Sequence, residues 1–305
     1  MKEKLRHVVA ATFAATLLGV VAAAALPASG WADPPAADPI GGVPRFRAEA
    51  PGGNAAASAA ALPTWPGSFT AGSTAYHYVM VGTDPAGGSA TTTVPAQLLP
   101  VSFSFTGNKV IDAGPPALSL IASPIFTAQT FTSGHTQFAD AMRRAEFWST
   151  VSASAPNYHV MLGGPTVLQT AVINVPNSYG SYKKKKNLTY GMVDYNWFRL
   201  QLQSLLDAHG FAASTLPVVV SGNIFLYENG SEANCCVYGI HGTYTSASGT
   251  NTYVYGNYLS AGLAGKGNGK KAIADMYSMS HEITEWADDP YVNNVVPRWA
   301  QPGSG

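Results

Sequence analysis

Runs of apolar residues broken by glycine and proline mark the first regular segments of the chain. "YHYVMVG" (Tyr76–Gly82) and "QLLPVSFSF" (Gln97–Phe105) are rich in aromatic and β-branched residues, which predicts an antiparallel strand pair. "MLGGPTVLQTAVINVP" (Met161–Pro176) predicts a second pair. "PVVVSGNIFLY" (Pro217–Tyr227) reads as one strong strand bent at Gly222, and "NTYVYGNYLS" (Asn251–Ser260) as a polar, aromatic edge strand.

Three stretches switch to the helical period. "TQFADAMRRAEFWSTV" predicts a helix capped by Thr136, with Phe138, Met142, Ala145 and Ser149 along one stripe. "DYNWFRLQLQSLLDAHG" has Asp194 as its cap, Phe198, Leu202, Leu205 and Leu206 as its buried face, and Gly210 as its stop. A final helix is expected from about Lys271 to Asp288, ended by Pro290. Together these elements predict one α+β domain over residues 66–305, built on a mixed, largely antiparallel sheet with a few helices.

The N-terminus has a different texture. A basic start, "MKEKLRH", precedes the alanine-rich run "VVAATFAATLLGVVAAAAL" and the small residues of "PASGWADPP". These are the three parts of a secretory signal, assigned to residues 1–32 with cleavage after Gly30 or Ala32. The run is weakly hydrophobic and no stop-transfer charges follow, so export is expected, to an extracellular or periplasmic setting, without stable membrane insertion. Residues 33–65 are rich in Ala, Pro and Gly and read as a disordered or extended leader outside the core. At the other end "RWAQPGSG" is loop-like, and a truncated C-terminus is expected.

Charge then narrows the function classes. Lys plus Arg and Asp plus Glu both number 17 and charged residues make up 11%, against about a quarter in an average soluble protein. Such a chain has no electrostatic footprint for nucleic acid. The run Lys183–Lys186 reads as a solvated turn, and Asn187-Leu188-Thr189 fits a glycosylation sequon. Ser181 and Lys184 match a Ser-x-x-Lys nucleophile pattern only formally, inside that run, and G-x-S-x-G is absent. Cys235 and Cys236 are adjacent, leaving open a vicinal disulfide, two thiols, or pairing with cysteines outside the chain.

The chemistry concentrates in "SMSHEITEWADDP" (Ser278–Pro290). At roughly 100° per residue, Met276, Met279, Ile283, Trp286 and Ala287 form an apolar face, while His281, Glu285, Asp288 and Asp289 gather opposite. Residues four apart on a helix have Cβ atoms about 5–6 Å apart, close enough for an imidazole and a carboxylate to share one ion. His281 and Glu285 are therefore candidate metal ligands, with Asp289 the best local third ligand. His241 is the other possibility, although its Gly and Ile neighbours suit a structural histidine. Glu282, turned aside, has the place of a general base in H-E-x-x-H logic, here H-E-x-x-E. His77, His135, His159 and His209 have no acidic or cysteine partner at ligand spacing. An amphipathic helix with a wet side produces the same pattern without any metal.

The segment Ser280–Glu285, Asp289–Asn294 and Trp299 resembles the H-E-x-x-E…N-P-x-V-N stretch of the phosphate-induced, exordium-like secreted proteins, and is similar to the active-site helix of zincin metallopeptidases. "CVYGIH" (Cys236–His241) resembles a stretch that precedes that helix in the same group. The resemblance implies a zincin-like fold with its active-site helix near the C-terminus, zinc held by His281 and Glu285, and Glu282 as base. It also implies a continuation carrying acidic residues and a cysteine, which could supply a third ligand and a disulfide partner. The expected function is a secreted, divalent-metal-dependent hydrolase acting on a peptide or protein. The alternative is a noncatalytic extracellular or cell-surface binding protein on the same scaffold.

Overall fold

The computed structural model describes residues 45–50, 62–246, 249–264 and 273–295. The expected signal segment, most of the leader, Trp299 and the C-terminal tail lie outside them. No helix among the described residues is long and apolar enough to cross a membrane.

In chain order the first strands are β1 (Arg45–Glu49), β2 (Thr64–Ala71), β3 (Thr74–Val81), β4 (Thr91–Val94), β5 (Ala96–Phe105) and β6 (Lys109–Ile111). Helix α1 (Gly114–Ile121), strands β7 (Gln129–Phe131) and β8 (Gly134–Thr136), and helices α2 (Phe138–Glu146) and α3 (Trp148–Ala153) follow. Then come β9 (His159–Leu162), β10 (Thr166–Val167), β11 (Ala171–Asn174), β12 (Gly180–Lys185), β13 (Leu188–Asp194) and helix α4 (Tyr195–His209). The last third holds β14 (Leu216–Gly222), β15 (Ile224–Tyr227), β16 (Cys235–Ser246), β17 (Gly249–Ala264), β18 (Ile273–Asp275) and helix α5 (Tyr277–Asp288).

The main sheet has twelve strands, with the path β10-β5-β14-β17-β16-β15-β13-β12; β1 joins β16, β6 and β11 join β5, and β18 joins β17. It corrects the expected fold class. The described residues are mostly β and the sheet curls into a nearly closed barrel, rather than a few helices on a largely antiparallel sheet. β5, β14 and β17 run parallel to one another, as do β13 with β15 and β1 with β16. As the sheet curls, the Phe105 ring comes to lie 6.3 Å from Tyr182 and covers Gly191 on β13.

Parallel strands buried on both faces need apolar residues at every position. That is why the β5 and β14 runs do not alternate. Leu98, Val218, Val220 and Val254 face one core with α1 and α5; Leu99, Val101, Val219 and Tyr255 face the other, beneath Phe198, Leu202 and Leu206 of α4. A third cluster packs Tyr190, Phe225 and Tyr238 around the Cys235–Cys236 disulfide.

Several local expectations shift with this topology. β3 pairs with β2 and not with β5, and β10 and β11 each run along β5 rather than pairing together. The chain breaks at Asn223, whose φ of 54° is left-handed, so Pro217–Tyr227 becomes two strands at separate places in the sheet. Asn251–Ser260 lies in a central strand, not an edge. Lys183–Lys185 of the lysine run lie in the edge strand β12 and only Lys186, at φ 55°, is in the turn that follows, while Arg45–Glu49 joins the sheet from within the expected leader.

α4 follows its local signals: the Asp194 carboxylate accepts the Trp197 amide at 2.9 Å and Gly210 closes the helix at φ 59°. α2 does not. Its cap position is Gln137, its buried residues include Asp140, Arg143 and Arg144, and Met142 faces out. Buried Arg143 explains the inversion, since it donates to the carbonyls of Val81 (3.1 Å) and Ala287 (2.6 Å) and to Asp288 (2.6 Å), fastening α2 to β3 and α5.

α5 is shorter than expected and lies against β16 and β17. Gly239 and Gly256 are directly opposed across those strands. A Cβ at Gly256 would sit 2.7 Å from the Met279 Cα, and one at Gly239 would sit 2.4 Å from Glu282 Oε1. The Ser278 hydroxyl accepts the Asn257 amide and donates to its carbonyl, both at 2.8 Å, and the Trp286 indole donates to Thr252 at 2.9 Å. Gly256→Ala is expected to lower unfolding stability in urea by about 1–3 kcal/mol through overpacking against helix backbone. Gly87→Ala, with open space around it, should change it by less than about 0.5 kcal/mol.

Candidate metal centre

The seating of α5 determines what its charged side meets. His241 is two residues beyond Gly239 on β16, hence on the same face of the strand, and that face points at Glu282. His241 Nδ1 lies 3.0 Å from Glu282 Oε2 and 3.3 Å from Glu285 Oε2. His241, Glu282 and Glu285 are the group of at least three acidic, histidine or cysteine side chains among the described residues whose ligand atoms all fall within 4.8 Å of one another.

The expected ligand set was His281, Glu285 and Asp289, and only Glu285 belongs to this group. His281 Nε2 comes within 2.9 Å of Glu285 Oε1 but off the line of a hydrogen bond, and its ring stacks on Phe46 of β1 with centroids 3.7 Å apart. Asp289 is occupied locally: its Oδ1 accepts the amides of Asn293 (3.0 Å) and Asn294 (3.2 Å) in the turn after α5. Glu282, expected as a base, is a full member of the cluster. Its side chain is 0% exposed, whereas that of Glu285 is 45% exposed and lies at the rim.

Burial and pairing set the protonation pattern. Burial pulls the His241 imidazole down, but hydrogen bonds to Glu282 and Glu285 outweigh it and hold the pKa at about 9. Burial pushes Glu282 up to about 7 against the opposing pull of His241. Glu285 is also raised by burial, yet the adjoining His241 and His281 imidazoles prevail and keep it at about 2.

These residues suit a divalent cation. For bonds of about 2.0–2.1 Å, tetrahedral ligands are about 3.3 Å apart, close to the separations around His241 Nδ1. Glu282 Oε1 is buried without a hydrogen-bond partner, as is His241 Nε2 on the other side of the ring from Nδ1, a cost that a protein ordinarily avoids and one that an ion at Nδ1 would not relieve for Nε2. The cluster opens on one side to a cleft of ≈ 550 Å³, lined by His241, Glu285, Asp288 and Asp289 together with Phe69, Tyr78, Met80 and Phe147.

His241, the second choice for a third ligand after Asp289, is the histidine that joins the group. The usable signal was its position two residues after a glycine in a strand that must face the helix. His159 has no acid at ligand spacing in the sequence, yet its Nδ1 lies 2.7 Å from the buried Asp140; the partner comes from α2 and not from neighbouring sequence. The chain matches no family model, no curated protein and no solved structure. The likeness to exordium-like and zincin proteins therefore rests on the quoted motif alone.

In the cation-free protein, His241 and Glu282 both bind protons more tightly folded than unfolded, so their stabilisation falls as pH rises. For Glu282 the loss runs from 4.5 to about 7, and for His241 from 6.5 to about 9. Glu285 acts oppositely: its contribution is present above 4.5 and is lost as pH falls towards about 2. Urea unfolding should accordingly show stability declining from pH 5 to 9. The double variant His241→Gln/Glu282→Gln should flatten that decline; an unaltered slope refutes the assignment.

Proposed function

We propose that the chain is a divalent-cation-dependent hydrolase acting on peptide-like substrates, with zinc the expected ion. The observation that carries this reading is the convergence of His241, Glu282 and Glu285 on one point beside an open cleft. When bound, such a cation supplies Lewis acidity, polarising a carbonyl and making water a stronger acid. His241 and Glu285 line the cleft and would hold the ion from the solvent side. Glu282 would close the site from beneath; burial raises it to about 7 in the cation-free protein, and a bound ion would lower it, leaving a carboxylate that can ligate the metal or take a proton. Phe46 fixes the His281 ring beside Glu285. The three-part N-terminal pattern supports an exported setting.

A second reading has its own observation. The His241 imidazolium, held at about 9, already places a cation between the two glutamates. A noncatalytic binding protein could keep the cluster as a buried ion triad and need no metal.

Elemental analysis and zinc titration separate the two. Under the hydrolase reading the purified protein carries about one zinc per chain, and His241→Ala and Glu285→Gln each weaken zinc binding at least about tenfold. Glu282→Gln should lower cleavage of a mixed peptide library by about a hundredfold or more. Protein that takes up no zinc, with no metal-dependent cleavage, leaves the ion triad as the answer.

A further inference from the structure

The β2–β3 hairpin stands outside the main sheet as its own two-stranded unit. Its register opposes Trp65 to Met80, Gly67 to Tyr78 and Phe69 to Tyr76. Directly opposed residues share a face, so one side of the hairpin collects four aromatic rings and a methionine. Gly67 makes this possible: the Tyr78 ring lies across it, and a Cβ there would fall 2.4 Å from the Tyr78 hydroxyl. The rings brace one another. Trp65 meets Tyr78 and Phe147 edge-on at 5.6 Å and 5.8 Å, and Phe69 stacks on Tyr76 at 5.3 Å.

This face forms one wall of the cleft whose other wall carries His241 and Glu285. Phe69 remains 41% exposed there. The volume of ≈ 550 Å³ falls within the range of about 300–1,000 Å³ typical of small-ligand sites. The acids of the cleft already have partners. Asp288 is bound by Arg143, Asp289 accepts two backbone amides, and Glu285 lies between His241 and His281. Beyond the His241–Glu285 rim that would hold the ion, the facing wall of Phe69, Tyr78, Met80 and Phe147 carries no charged group, so the surface it offers an occupant is apolar.

Building on the hydrolase reading, we propose that Phe69, Tyr78, Met80 and Phe147 form a subsite for a bulky aromatic side chain of a peptide substrate. Such a residue stacks on preorganised rings, placing the neighbouring backbone at the His241–Glu285 rim. Small side chains leave those faces wet.

The test titrates N-acetyl-L-phenylalanine amide and N-acetyl-L-alanine amide into zinc-free and zinc-loaded protein, following the Met80 methyl resonance. The phenylalanine derivative should bind at least about tenfold more tightly, a difference of about 1.4 kcal/mol. Phe69→Ser, at an exposed position, and Phe147→Ala should each erase that advantage. Equal affinities, or an advantage that survives in both variants, overturn the subsite. The zinc content of the same samples reports separately on the hydrolase reading: a phenylalanine preference in protein that binds no zinc supports the subsite and removes the metal.

Discussion

Two glycines facing each other across β16 and β17 decide where α5 can lie. Without side chains at 239 and 256, helix backbone approaches sheet backbone closely enough for Met279 to rest on one and Glu282 on the other. Every other feature of the cluster follows from that approach. Ser278 reaches the β17 backbone, Trp286 reaches Thr252, and a glutamate that belongs by its angle near the helix flank is carried under the helix beside His241. β1 completes the arrangement by running along the remaining edge of β16, with Phe46 opposite Gly239 and Ala48 opposite His241.

The electrostatic consequence is a compact set of groups with divided protonation. Two carboxylates share one imidazole, but their surroundings separate them: the buried one tends to keep a proton and the rim one to lose it. Isolated buried charges are strongly unfavourable, and pairing only partly offsets their desolvation. A fold that retains three unpartnered polar atoms in such a place, His241 Nε2, His281 Nε2 and Glu282 Oε1, sacrifices stability there, a pattern common where a site serves chemistry.

What could be read beforehand divides along physical lines. α4 was legible because its signals are local, a capping carboxylate at Asp194 and a left-handed glycine at Gly210. The apolar face of α5 was legible for the same reason of period. The strand partners were not. β5 and β14 are apolar at nearly every position because both faces are covered, and such runs do not reveal which neighbour they take or in which direction. α2 misled because its buried arginine serves Val81, Ala287 and Asp288, residues 62 or more positions away, while a polar residue on a short helix ordinarily marks the wet side. Of the candidate centre, Glu285 as a ligand and Glu282 as a base could be named from spacing, whereas His241 could be offered only as a second choice, because its place beside them depends on the long-range packing of strand against helix.

Asn294 has a consequence beyond holding two segments together. Its side-chain amide accepts the Val79 N–H at 2.7 Å and donates to the Val79 carbonyl at 2.9 Å, as a neighbouring strand would, and Arg143 takes the Val81 carbonyl one step along. An open strand border is a template for unwanted pairing between molecules. Here one carboxamide and one guanidinium use up the outward hydrogen-bonding groups of Val79 and the Val81 carbonyl, so this part of the hairpin cannot seed intermolecular sheet growth while those contacts hold.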